Sequence, residues 1–180
     1  MEPLALKLRP KNLDDVLGQK HLIGDGKVIS NLVKNKHLFS MILHGHCGIG
    51  KTTIAHAIVN ELGADYIFLN AALNNKRDFD EAVYEANLKG GLIIIMDEFH
   101  RLNKDKQDLL LPHLESGLIT LIGLTTSNPY HSVNPAIRSR CQIFELKPLT
   151  DLDIKQGLKK ALNHLENIKI EEECLDFIIN

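Results

Sequence analysis

Two short stretches carry residue types at spacings that could handle a polyphosphate. The first is Gly45-His46-Cys47-Gly48-Ile49-Gly50-Lys51-Thr52, followed by Thr53. Its glycines let the backbone wrap an anion closely while successive N–H groups point inward. A helix opening at the lysine presents its positive end to the same charge. Lys51 is then the group expected to reach the β- and γ-phosphates, and the Thr52 hydroxyl is a ligand for Mg²⁺. The second stretch is Ile93-Ile94-Ile95-Met96-Asp97-Glu98. A carboxylate at the carboxyl end of a buried parallel strand lands on the sheet edge where ligands bind. Asp97 is expected to hold Mg²⁺ through a water, and Glu98 to orient or deprotonate an attacking water. Transfer to a second substrate does not need the extra carboxylate there, so the pair points to hydrolysis.

Strands and helices must set those residues in place. Apolar runs at 40–44, 66–70, 92–97, 119–126 and 142–146 do not alternate with polar residues, which predicts strands buried on both faces. Helical stretches at 52–62, 78–89 and 104–115 separate them. This alternation predicts βαβ crossovers and an α/β fold, a five-stranded parallel sheet flanked by helices. Pro112 lacks a backbone donor and is expected to kink or break the third helix. Beyond Pro148 a helical period runs through Leu152, Leu158, Ala161, Leu162 and Leu165, with Thr150 or Asp151 as N-cap. Another helix is expected from Glu171 to Asn180. The organisation read from this is a nucleotide-binding α/β domain over 1–148, then the beginning of a helical lid subdomain over 149–180, cut short.

Asn75-Lys76-Arg77-Asp78 matches the N-K-x-D pattern that reads guanine in GTPases. It precedes the acidic strand instead of following it, and no D-x-x-G follows Asp97. It is read as a loop and helix start, with Asp78 early in the helix where negative charge is favourable.

The 180 residues are 44% hydrophobic and 24% charged, with a formal net charge of -2, a balance suited to a globular domain with a real core. The whole-domain basic footprint of a nucleic-acid binder is absent; Lys7, Arg9 and Lys11 are local candidates that read first as a solvated segment. Cys47, Cys141 and Cys174 lack Cys-x-x-Cys spacing, which argues against a zinc site or disulfide framework and for a reducing compartment. No apolar run approaches the roughly 20 residues of a membrane span. A cytoplasmic location and no membrane partner are expected.

The run DEFHRLNKDKQDLLLPHLESGLITLIGLTTSNP at 97–129 resembles the replication-associated recombination protein A family (RarA, also MgsA) of AAA+ ATPases, in the clamp-loader clade. The opening PLALKLRPKNLDDVLGQKHLIG and the SMILHG ahead of the phosphate loop are similar too, so the resemblance covers nearly all of 3–146. It implies a P-loop AAA+ domain that binds ATP with Mg²⁺ and hydrolyses it at a site shared between neighbouring subunits, in a protein acting at stalled replication forks. Carried over by position, Asn128 matches the polar sensor that faces the γ-phosphate or the attacking water. Arg140 matches the arginine finger that reaches a neighbour's ATP, with Arg138 as competing candidate. Asn70 is expected to pair with Glu98 as a switch, and Leu8, Arg9, Val16 and Leu17 to cradle adenine. Implied partners are further AAA+ subunits, single-stranded or forked DNA, and a single-strand-binding protein or sliding clamp, with a nucleoid-associated location.

Two departures stand out. The loop reads HCGI where relatives usually have Pro-Pro-Gly-Thr, though the required glycines remain. NPAIRSRCQIFEL at 134–146 reads more like a sliding-clamp loader subunit, which keeps that alternative open. A nucleotide-sensing subunit without turnover is a third reading, disfavoured because Lys51, Thr52, Asp97, Glu98 and Asn128 are all present. The family is longer than this chain, so its second arginine sensor and oligomerisation domain are expected beyond Asn180.

Overall fold

The computed structural model describes residues 8–163; Lys7, Leu165, Cys174 and the helix expected from Glu171 lie outside them. Two helices, α1 (Lys20–Ile23) and α2 (Val28–Lys34), precede the sheet. There follow β1 (Met41–His44), α3 (Lys51–Leu62), β2 (Tyr66–Asn70), α4 (Lys76–Lys89) and β3 (Leu92–Asp97). A 3-10 turn at Phe99–Arg101 leads to α5 (Lys104–Asp108), α6 (Leu111–Glu115) and β4 (Ile119–Thr125). Last come α7 (Pro129–Ser132), α8 (Pro135–Arg138), β5 (Gln142–Glu145) and α9 (Asp151–Leu162).

All five strands are parallel, in the order β2-β3-β4-β1-β5. The chain leaves β1, jumps to the β2 edge, and returns strand by strand. Right-handed crossovers then force α3 onto one face and the helices between β2 and β5 onto the other. Strand periodicity divides the apolar side chains between the same two faces. Met41, Leu43, Ile93, Ile95, Ile122 and Leu124 pack with Ile54 and Ile58 of α3. Ile42, Ile94, Met96 and Leu121 pack with Ala82 and Ala86 of α4, Leu110 and Ile137. Each fully buried Ile or Leu stabilises the fold by about 1.5–3 kcal/mol.

The central strands are buried on both faces as expected, whereas the outer two correct the expectation. β2 lies at the sheet edge, with Tyr66 37% and Phe68 39% exposed, and β5 exposes Gln142 and Glu145 at the other edge. An edge strand loses one covering neighbour, and an apolar run alone does not say which strand that is. His56 of α3 stacks on Phe68 and meets Tyr66 edge-on, which gives those rings partial cover.

Local signals act where polar side chains satisfy helix ends. Asn75 caps α4, accepting from the N–H groups of Arg77 and Asp78, and Asp78 accepts in return from the Asn75 N–H. The N-K-x-D look-alike is thus a capping box. Thr150, not Asp151, caps α9 in the same way with Asp153. Pro112 sits in the first turn of α6, so the stretch 104–115 is two short helices.

Candidate functional site

The carboxyl ends of β1, β3 and β4 converge where the strand order reverses, the crevice in which open α/β sheets bind ligands. The loop after β1 is anchored at its start by the Gly45 N–H, which donates to the Thr125 carbonyl at 3.2 Å. Gly50, at φ 101°, turns directly into α3. A Cβ at Gly50 would meet nothing within 4 Å, so the demand for glycine there is conformational, not steric.

Lys51 opens α3 and is buried. Its ammonium donates to the carbonyls of Gly45 and His46, both at 2.8 Å. Burial holds its pKa below the ordinary lysine value, opposed by the nearby Cys47, Asp97 and Glu98. Thr52 and Thr53 follow it on the first turn of α3, half-buried. His46, Cys47 and Gly48 form the exposed crest of the loop, and Ile49 plugs the core beneath it.

Asp97 ends β3, and one of its carboxylate oxygens accepts from the Glu98 N–H at 2.8 Å. Glu98 lies at φ 52°, ψ 38°, a left-handed conformation few residues other than glycine adopt. The next residue holds it there. Phe99 is fully buried, and its ring lies against Gly123 of β4, where a Cβ would stand only 3.3 Å from it. Glu98 Oε2 is 3.2 Å from His100 Nε2, and His100 Nδ1 is 3.1 Å from Thr125 Oγ1. The expected Asn70–Glu98 pair is absent among the described residues. Asn70 stands beside Asp97 in the sheet, and its Oδ1 accepts from the Ala72 N–H of the turn directly after the strand.

Asn128 follows β4 and caps α7, its Oδ1 accepting from the Tyr130 N–H at 2.9 Å. The oxygen end is thereby engaged within the chain, and the NH₂ is the donor end. Arg140 pairs with Glu115 and donates to the Ala136 carbonyl. The Arg138 guanidinium lies 5.3 Å from the Tyr130 ring centre, and its Nε is buried without a partner. Leu8, Arg9, Val16 and Leu17 line one cleft of about 640 Å³ together with Gly48, Ile49, Gly50 and Thr53. The far wall is α9, packed so closely that a Cβ at Gly157 would stand 2.5 Å from Leu17.

Sequence reasoning did not single out His100, Phe99 or Gln107. Gln107 is buried, donates to the carbonyls of Leu102 and Ser132, and accepts from the Asn134 N–H at 2.7 Å. It ties α5 to the segment bearing Arg138 and Arg140. The one available signal was His100 itself, a donor–acceptor side chain two residues past Glu98.

A phosphate-type loop, an acidic strand end and this strand order define a P-loop AAA+ nucleotide-binding domain. Residues 8–137 match the model of the Holliday junction DNA helicase RuvB P-loop domain, and the chain belongs to that family. Replication-associated recombination protein A from Bacillus subtilis is 55% identical over 163 residues, covering 91% of this chain and 39% of its own length. The same-named protein from Escherichia coli is 42% identical over 165 residues, covering 89% and 37%. The Thermotoga maritima RuvB Holliday junction branch migration motor superposes with a TM-score of 0.78 at 29% identity, covering 96% of this chain and 59% of that one. The chain therefore spans about two-fifths of the length of the curated relatives it matches.

Proposed function

We propose that the chain is the ATP-binding and ATP-hydrolysing core of a replication, recombination and repair factor that acts at stalled forks. The observation that carries this reading is the buried Lys51 ammonium, resting on loop carbonyls within the field of Asp97 and Glu98 beside a nucleotide-sized cleft. The names of the relatives supply the cellular setting.

The residues present fit ATP and Mg²⁺. An ammonium holding only two carbonyls can exchange them for phosphate oxygens, a charge-assisted and stronger pair. Thr52 and Asp97 are hard oxygen donors, which suit a cation that completes its shell with phosphates and waters. The cleft volume lies within the usual range for small-ligand sites. Bound Mg²⁺ would neutralise charge developing on the phosphates.

In this reading the loop from Gly45 to Thr53 holds the phosphates, and Leu8, Arg9, Val16 and Leu17 hold adenine. Glu98 orients and deprotonates the water, and Asn128 donates its amide to it or to the γ-phosphate. Arg140 acts on the nucleotide of a neighbouring subunit and is released from Glu115 to do so; Arg138, half-buried against Tyr130, is the competing candidate. Residues 149–180 begin a helical lid whose first helix, α9, walls the adenine side. The setting is cytoplasmic and nucleoid-associated, with further subunits and single-stranded or forked DNA as partners.

The test is the ATPase rate of the full-length protein against its own concentration, with and without forked or single-stranded DNA. Rates that rise with assembly and with DNA are expected. Folded protein that takes no ATP with its metal removes the proposal. A response to a sliding clamp but not to DNA moves the role to a clamp loader.

A further inference from the structure

The polar contacts behind Glu98 form a directed chain. The Ser127 N–H donates to Thr125 Oγ1 at 3.1 Å. The Thr125 hydroxyl has one proton to give. His100 Nδ1 at 3.1 Å and the Ser127 carbonyl at 3.3 Å are both within reach. The Glu98 carboxylate decides between them, since it can only accept and so calls for the proton on Nε2, 3.2 Å from its Oε2. That leaves Nδ1 of a neutral ring to accept from Thr125. Every donor then meets an acceptor in one sense, from a loop N–H to a carboxylate. Thr125 is buried and the His100 side chain is 18% exposed, so the inner bonds of the chain are shielded from water and count for more there, while Glu98, 36% exposed, is its open end.

We propose that His100 is a positioning residue for hydrolysis, holding the Glu98 carboxylate through Nε2 while Nδ1 ties it to Thr125 at the head of the Asn128 loop. The proposal rests on the reading of Glu98 as the residue that orients the attacking water. Backbone geometry alone cannot aim that carboxylate, because Glu98 has free torsions beyond its strained φ and ψ. Ser127 adjoins Asn128, so the chain joins Glu98 to the segment that bears the residue read as facing the attacking water or the γ-phosphate. A shift of the Asn128 loop is thereby transmitted to Glu98 through three hydrogen bonds.

The test compares His100→Ala, His100→Gln, Thr125→Val and Glu98→Gln in the full-length protein, with kcat and KM for MgATP, nucleotide affinity and thermal melting measured for each. His100→Ala should lower kcat about tenfold or more and move KM and nucleotide affinity by no more than about twofold, the pattern of an interaction that matters after binding. His100→Gln, whose amide can still donate to Glu98, should recover part of the loss. Thr125→Val should lower kcat in the same direction by less. The decisive readout is the double variant. In the Glu98→Gln background, His100→Ala should lower kcat no further, since residues acting as a unit are not additive. A full additional loss there overturns the proposal, as does a kcat for His100→Ala equal to wild type. The melting curve and the His100→Gln variant separate a folding defect from a lost contact. Glu98→Gln turning over like wild type instead removes the role of Glu98, and the positioning role with it.

Discussion

The ammonium of Lys51 donates to the carbonyl oxygen of Gly45 at 2.8 Å, so the loop is folded around its own cation. A charge buried this deeply needs partners, and the loop carbonyls supply them. Replacing Lys51 by Ala should leave the fold intact, because the carbonyls it releases belong to half-buried Gly45 and exposed His46, at a loop where water can take its place. It should weaken binding of MgATP by roughly a hundredfold or more, the scale for losing one partner of a close charge pair. Titration with a fluorescent ATP analogue checks this; affinity equal to wild type would take Lys51 out of the phosphate site.

Arg140 and Glu115 are joined on the surface. An exposed pair of this kind contributes about 1 kcal/mol or less, so Arg140→Ala should hardly change melting. If Arg140 serves a neighbour's site, the variant should bind ATP normally and lose turnover only at concentrations where wild type assembles. Mixing it with wild type would then restore part of the rate. An equal loss at dilutions where wild type is monomeric would contradict a trans role.

Gln107→Leu keeps the volume but strands the Asn134 N–H and the carbonyls of Leu102 and Ser132 that now bond the side chain. Buried groups left unpaired cost about 1–3 kcal/mol each where water cannot replace the partner, so a loss of roughly 2–4 kcal/mol is expected. Urea unfolding measures it. A change below about 0.5 kcal/mol, the usual size for surface substitutions, would mean that water replaces the bonds.

Burial raises the Cys141 thiol from its ordinary 9.0 to about 12. The folded state therefore binds this proton more tightly than the unfolded chain. That stabilising term is fully present below pH 9 and is lost as pH rises through about 12. Cys141→Ala should flatten the alkaline fall in stability across this window. Peptide mapping after brief iodoacetamide treatment near pH 8 should find Cys47 labelled far faster than Cys141 in native protein. Equal labelling would show that Cys141 is not protected.

The amino-acid sequence alone determined the chemistry-bearing pieces, since each is set by local rules. Gly50 is there because the chain must pass through a left-handed turn into a helix. Asp97 is there because a fully apolar strand must end where water begins. Asn75 and Thr150 are there because the first turn of a helix leaves N–H groups to satisfy. The strand and helix periods followed from the same local logic. What neighbours what is a different matter, because it depends on contacts between residues far apart in the chain. Only the tertiary structure decided that β1 lies between β4 and β5, which leaves β2 at an edge with Tyr66 and Phe68 partly exposed. It decided that Asn70 stands beside Asp97 in the sheet with its oxygen on the following turn, and not in a pair with Glu98. It also set His100 between Glu98 and Thr125, residues 27 apart on different strands' ends, a pairing no spacing rule encodes because sheet order, not sequence distance, brings those ends together.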